Sequence, residues 1–269
     1  MIRPAAVAGR FYPADPLRLE NQIDEFTLSA PPKTSALGCI VPHAGYVYSG
    51  RVAGAVYASL NLPSRFILLG TRHYPQGERL AMLSEGTWET PLGEARMDSA
   101  LAAELKNAFP LLREDAVAHA PEHSLEVQLP FLLRLAGNFT FAPVLIGTDR
   151  FDVLEMLGHA VASVVRAHED AVMIVASSDM NHRESDATTR VKDRKAIDAI
   201  LALDARRLYD TVRRENISMC GYGPAVAMLT AACDLGATKA NLIRYATSAE
   251  VNGDYNDVVG YAGIIVQQC

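Results

Sequence analysis

The sequence predicts an α/β fold, a single domain over residues 1–269 with a central, largely parallel mixed sheet flanked by helices. Two observations carry this reading. Short apolar runs alternate with longer helix-like stretches along most of the 269 residues, the pattern of strands joined by helical crossovers. In addition, three of the apolar runs deliver a histidine just past their C-terminal ends, the edge at which open α/β sheets bind ligands.

Residues 1–15 read as an extended arm in which Ala8-Gly9-Arg10-Phe11-Tyr12-Pro13 mixes aromatics with turn formers. Asp15 can cap a helix starting at Pro16, where the missing N–H costs nothing. That helix is expected to reach about Ser29, with Pro31-Pro32 ending it. The run 37–41 is a buried strand that stops at Pro42, which has no N–H for a sheet, and His43 follows. A helix rich in small residues is expected over 49–60, packed close to the sheet. The strand 66–69 is broken by Gly70, and His73 comes three residues later.

Residues 75–97 suggest short strands and a turn, followed by a helix over 99–108 and an irregular stretch over 110–121. Leu125, Leu129, Leu132 and Leu133 share one helical face, which predicts a helix over 122–135 despite Pro130. A strand over 139–146, an amphipathic helix over 151–168 and a third site strand over 172–176 come next. This last strand leads into Ser177-Ser178-Asp179 and His182. Two surface helices (187–203 and 205–214), a helix of small apolar residues (224–235) and two final strands (241–246 and 258–266) complete the chain. The last strands are expected to add an antiparallel edge.

A net charge of -6 and the absence of a basic stripe argue against nucleic acid as a partner. No apolar stretch approaches the roughly 18–20 residues needed to span a bilayer, and Met1-Ile2-Arg3-Pro4 lacks the apolar core of a signal peptide. No membrane association and a cytoplasmic location are therefore expected. The four cysteines form no CxxC pair and are expected to be free thiols. Cys39, in a strand, and Cys233, in an apolar helix, are expected in the core, and Cys269 is terminal. Cys220 lies in a glycine-rich turn before a helix, the one cysteine in a site-like setting.

His43 can be a metal ligand, a general base or a hydrogen-bonded core histidine, and His73 has a similar setting. Histidines at parallel strand ends can converge, and Cys220 adds a thiolate. A His/His/Cys set suits Zn, Cu or Fe and leaves positions open for water or substrate. The competing reading is a Cys–His nucleophile pair, with Cys220 near a helix N-terminus. Asp179 can orient or tune His182, or the two can be a helix cap and a surface histidine. His123 can point into the cleft as an acid or base. Glu122, beside it, reads simply as an acid complementing a helix start. Phe11, Tyr12, Tyr46 and Tyr48 can line a pocket or lie in the core. His119, His159 and His168 have no comparable context.

These motifs, taken in order, resemble the Memo family, whose prokaryotic members are the B protein of the AmmeMemoRadiSam system. The resemblance runs through Ala8-Gly9-Arg10-Phe11-Tyr12-Pro13, Pro42-His43-Ala44-Gly45-Tyr46-Val47-Tyr48-Ser49-Gly50, Leu69-Gly70-Thr71-Arg72-His73 and Thr90-Pro91-Leu92-Gly93. It continues through Glu122-His123-Ser124-Leu125-Glu126, Pro143-Val144-Leu145-Ile146-Gly147, Ser177-Ser178-Asp179-Met180-Asn181-His182, Cys220-Gly221 and Val259-Gly260-Tyr261-Ala262.

The resemblance implies a fold like that of class III extradiol dioxygenases, the non-haem iron enzymes that open catechol rings. It also implies metal binding by His43, His73 and Cys220. A thiolate in place of the dioxygenases' carboxylate favours softer metals, copper included, so Fe(II) or Cu is expected, with Zn as a further choice. Asp179, His182 and His123 match the polar residues around the family's cleft, with His123 or His182 as the acid/base group. Two functions follow as expectations. The first is a redox or oxygen-dependent oxidoreductase. The second is a non-enzymatic module binding a peptide or protein in the same cleft. Small-molecule or peptide ligands are expected there, and the family association adds radical-SAM and AMMECR-type protein partners.

Overall fold

A computed structural model of the chain describes residues 1–28 and 32–268. The expected end of the first helix at Ser29 and Pro31, and Cys269, lie outside the described residues.

The elements run β1 (Ile2–Arg3), α1 (Pro16–Thr27), β2 (Gly38–Val41), α2 (Tyr46–Ala58), β3 (Arg65–Thr71), β4 (Leu80–Met82), β5 (Thr87–Thr90), β6 (Gly93–Met97), α3 (Ser99–Ala108), β7 (Arg113–Glu114) and α4 (Ala116–His119). A 3₁₀ turn (Glu126–Gln128) leads into α5 (Leu129–Leu135), followed by β8 (Thr140–Ile146), α6 (Phe151–Arg166), β9 (Val172–Ser177), β10 (His182–Glu184), α7 (Asp186–Leu201), α8 (Ala205–Arg214), α9 (Tyr222–Asp234), β11 (Lys239–Thr247), α10 (Ala249–Asn252) and β12 (Val258–Gln267). Asp15 caps α1, its carboxylate accepting the Arg18 N–H at 2.8 Å, with Pro16 in the first turn.

One mixed sheet organises the chain. Its parallel core has the order β6-β8-β3-β9-β2, and β12 then joins β2 antiparallel and carries β11 on its other side. The expected antiparallel flank is thus present. Side chains alternate across the sheet with the two-residue strand period. Ile40, Ile67, Leu69, Val144, Ile174 and Ile264 pack with α6, α7 and α9 on one face. Cys39, Val41, Phe66, Leu68, Val175 and Ile265 pack with α1, α2 and α5 on the other. Both faces are covered, which is why the central strands are apolar without a break. Each fully buried Ile, Leu or Phe contributes roughly 1.5–3 kcal/mol.

The core of the sheet also places the site. β9 lies between β3 and β2, with Leu69 paired to Ala176 and Val41 to Ser177. The C-terminal ends of the three strands therefore stand side by side.

Three expectations need correction. The helix expected over 122–135 is only the 3₁₀ turn and α5, because Pro130 sits in the first turn of α5 and cannot be helix interior. The stretch 110–121 is not wholly irregular, since it holds β7 and α4. Cys233 is exposed rather than in the core, because it lies at the solvent end of α9 beside its last residue, where its thiol meets the Leu203 carbonyl.

Candidate metal centre

Past Pro42 the chain leaves β2 and His43 turns inward, 1% exposed. Its ring Nδ1 lies 2.9 Å from Ser177 Oγ. That hydroxyl spends its one proton on the Ser124 carbonyl at 2.6 Å and accepts from Gln128 Nε2 at 2.9 Å. It can therefore only accept from His43, which puts the proton on Nδ1 and leaves Nε2 as a lone pair. Nε2 faces Cys220 Sγ at 3.1 Å.

His73 is held in the same manner from the end of β3. Its Nδ1–H donates to Glu122 Oε1 at 2.9 Å and its backbone N–H to Oε2 at 2.7 Å. The His43 and His73 rings lie 5.1 Å apart, nearly perpendicular. The ligand atoms of His43, His73 and Cys220 lie within 4.8 Å of one another.

Cys220 reaches this edge on the turn before α9. A Cβ at Gly221 would lie 2.3 Å from the Ser177 carbonyl oxygen, so only glycine lets this turn close on β9. Thr71 Oγ1 donates to the Cys220 carbonyl at 2.8 Å, and Cys220 Sγ accepts the Asp179 N–H at 3.3 Å.

Asp179 interacts with His182 through charge and also bonds the backbone after β2. Its Oδ1 accepts the backbone N–H groups of His43 at 2.8 Å and Ala44 at 3.2 Å, so it shapes the loop after β2. The His182 ring is instead fixed by Ser218, whose carbonyl accepts from Nδ1 at 2.9 Å. Asp179, His182 and Cys220 still form a second close group, their ligand atoms within 4.8 Å. His123 stacks on His73 at 4.4 Å and packs under Phe11 at 4.5 Å, and its buried Nδ1 has no hydrogen-bond partner among the described residues.

Burial sets the protonation pattern. It drives the His43 pKa down to about 3, with the neighbouring His73 adding to the effect. It lowers His123 to about 4, helped by His43 and His73. Burial and the Asp179 carboxylate push the Cys220 thiol up. For Glu122 burial pulls upward, but its bonds to His73 and the backbone N–H groups outweigh that and hold it at about 2.

The donor set fits a metal ion. Two imidazoles are anchored through Nδ1 to groups outside the cluster, which leaves their Nε2 atoms as the remaining ligand atoms beside a thiol, and such outer partners are how proteins orient histidine ligands. One cavity, of about 430 Å³, has Cys220 in its wall. Another, of about 460 Å³, lies at the opposite ends of β3 and β8 around Arg65 and Arg96, away from the cluster.

Several contributors carry no sequence signal of their own. Ser177 and Gln128 are ordinary polar residues until the fold aims Ser177 at His43 and Gln128 at the Ser177 hydroxyl. Glu122, read as a helix-start acid, does accept the N–H groups of His123 and Ser124, but its larger part is to hold His73. Phe11 does reach the site, whereas Tyr12 and Tyr46 are buried and bond Glu126 and the Val127 carbonyl. His159 pairs with Asp234, and His168 lies between Arg65 and Glu104. His119 is fully buried, edge-on to Trp88.

The sequence model of a family described as Memo-like protein matches residues 3–265. A MEMO1 family protein of Methanopyrus kandleri is 39% identical over 282 residues, covering all of both chains. One from Methanosarcina barkeri is 42% identical, covering 99% of this chain and all of its own. One from Sulfolobus acidocaldarius is 40% identical, covering 98% and 99%. Among solved structures, an uncharacterized protein from Escherichia coli K12 superposes with a TM-score of 0.59 at 14% identity, covering 85% of this chain and 98% of that one, a likeness of fold alone. No helix among the described residues is long and apolar enough to cross a membrane.

Proposed function

The chain belongs to the Memo family, and from that footing we propose that the cleft is an open metal centre of a redox oxidoreductase. His43, His73 and Cys220 would hold Fe(II) or Cu, with Zn as the non-redox choice. The observation that carries this reading is the approach of Cys220 Sγ to His43 Nε2 at 3.1 Å, with both histidines tied back through Nδ1. A bound iron or copper would supply one-electron chemistry toward dioxygen.

The surrounding residues handle protons and position. His123, kept neutral near pH 7 by burial, is available as a proton acceptor beside His73. His182 donates its Nδ1–H to Ser218, which leaves Nε2 as its acceptor atom. Asp179 fixes the backbone that carries His43. Phe11 covers His123 and limits water there. Cys220 must give up its proton to become a ligand.

Anaerobic metal analysis of untagged protein, with Cys220→Ser and His43→Ala alongside, tests the reading. It expects iron or copper near one per chain, lost in both variants, and oxygen uptake in the loaded protein. Metal that is absent, or indifferent to both changes, would overturn it.

A second reading has its own support. Val47 is 60% exposed and Tyr48 37%, both directly after the His43 loop. Val47 lines a cavity of about 440 Å³ with Arg10, Phe11, Arg18 and Tyr46. An apolar rim of this kind suits a peptide. Binding of a peptide by metal-free protein, abolished by Val47→Asp, would favour a recognition module. A cytoplasmic location and radical-SAM or AMMECR-type partners remain part of the proposal, to be checked by fractionation and by co-purification.

A further inference from the structure

We infer that the cavity on the Cys220 side of the triad is an oxyanion subsite that receives the carboxylate or phosphate end of the substrate. The word substrate here rests on the metal-centre reading above. The cavity holds about 430 Å³, room for a small metabolite, and lies over the C-terminal ends of β3 and β8 and the start of α9. Thr71, Arg72, Arg79, Asp149, Cys220 and Tyr222 carry the argument.

The charge inventory of this wall is unbalanced. Arg72 meets no carboxylate. Its Nε and Nη2 bond the carbonyls of Gln76, Gly77 and Pro75, and its Nη1 makes no hydrogen bond among the described residues. The Arg79 side chain makes neither an ion pair nor a hydrogen bond among the described residues. Asp149 is the one carboxylate in the wall, and Arg213 Nη1 engages it at 3.4 Å. Arg79 and Arg72 thus line the cavity without a carboxylate partner of their own, while the wall's single carboxylate, Asp149, is engaged by Arg213.

The local backbone adds to the same sign. No side chain caps α9, its first turn holds no acid, and Tyr222, Gly223 and Pro224 line the cavity. The positive end of a 13-residue helix therefore meets the two arginines. Gly147 permits the arrangement, because a Cβ there would lie 3.0 Å from Arg72 Cδ and 3.1 Å from the Arg79 carbonyl. Guanidinium groups match carboxylate and phosphate oxygens by their forked donors.

Cys220 links this cavity to the triad. It lines the cavity, and its carbonyl is held by Thr71, another wall residue. An anion bound to Arg79 and Arg72 would place the rest of a small molecule against the Cys220 side of the metal centre. The substrate class is then a small organic oxyanion, in contrast to a neutral or cationic molecule.

Calorimetric titration of the full chain, with and without metal, tests this. Inorganic phosphate and succinate serve as separate probes of wild type, Arg79→Ala, Arg79→Lys, the double variant Arg72→Ala/Arg79→Ala, and Arg51→Ala. Arg51 is an exposed arginine paired with Glu25, so its removal controls for net charge. The expected result is saturable binding that weakens about tenfold in Arg79→Ala, the loss of one charge-assisted contact. Binding should weaken further in the double variant, stand between in Arg79→Lys and be unchanged in Arg51→Ala. Preference for phosphate assigns a phosphoryl end, and preference for succinate a carboxylate end. Failure of both probes to bind, or equal binding by the double variant and Arg51→Ala, overturns the inference. Metal content is read on the same samples. Metal without anion binding sinks the subsite alone, and arginine-dependent anion binding without metal sinks the metal reading alone.

Discussion

Glu122 grips His73 at two points, one carboxylate oxygen accepting the ring Nδ1–H at 2.9 Å and the other the backbone N–H at 2.7 Å. The first oxygen also takes the N–H groups of His123 and Ser124. One buried carboxylate therefore sets the tautomer of a candidate ligand and the path of the loop beside it. Glu122→Gln keeps the volume but weakens the acceptor. It is expected to reduce metal affinity by about 10–100-fold, measured by anaerobic competition titration, with the metal stoichiometry at saturation unchanged.

Gly221→Ala should damage both fold and site. The new Cβ would stand 2.3 Å from the Ser177 carbonyl, so the Cys220 turn must retreat from β9. A loss on the order of 1–3 kcal/mol is expected in urea unfolding. Metal stoichiometry should fall with it, because Sγ moves away from His43 as the turn retreats.

Asp193 offers a pH test away from the ligands. It is fully buried on α7, accepting the Asn181 N–H at 2.8 Å and the Tyr245 hydroxyl at 2.7 Å. Burial raises it to about 7, against the smaller lowering by these bonds and by Arg190. Its folded pKa lies above its unfolded one, near 4. The unfolded chain therefore ionises first, and this group's share of stability is full below about pH 4 and falls as pH rises to about 7. The gap corresponds to on the order of 4 kcal/mol. Unfolding curves should show Asp193→Asn gaining on wild type from pH 4.5 to 7.5, with no further gain above that. A constant difference across this range would refute the assignment.

The arm is fastened by a buried pair. Arg3 is 4% exposed, stacks on Trp88 at 4.0 Å and bonds Glu126 Oε2 at 2.7 Å. Glu126 also accepts the N–H groups of Ala6 and Val7 and the Tyr12 hydroxyl. Glu126→Ala leaves these donors without a partner and Arg3 uncompensated, and it should cost roughly 3–5 kcal/mol in chemical denaturation. Because the same arm brings Phe11 onto His123, the imidazole proton signals of His123 should shift in this variant even where the fold survives.

The sheet was legible in the sequence for a plain reason. Doubly covered strands such as 66–69 and 172–176 are uninterrupted apolar runs, and little else in a chain looks like them. Helix 99–108 was also expected at these bounds, and the structure adds that Asp98 caps it. The region 110–135 was not, because its conformation is decided by contacts with the arm and with β3 rather than by its own periodicity. At the site, His43, His73 and Cys220 stood out because each follows a strand or precedes a helix at one edge. Asp179 was noticed beside His182, but its further bonds to the His43 and Ala44 N–H groups come from strand adjacency that no local spacing encodes. Glu122 was passed over because a glutamate ahead of a helical pattern has an ordinary explanation, and only the end of β3 arriving beside it adds another.

The distance along the chain between the parts of this site has a consequence for how the protein is born. His43 and Cys220 are 177 positions apart, and Arg3 waits 123 positions for Glu126. Chains emerge from the ribosome N-terminus first. The arm is made at the outset yet has nothing to fasten to until the middle of the chain appears, and the thiol arrives after every strand of the parallel core. Any metal held by the proposed triad would therefore be completed only after translation of Cys220, and a chain cut short before Cys220 would carry both histidines without being able to close the triad.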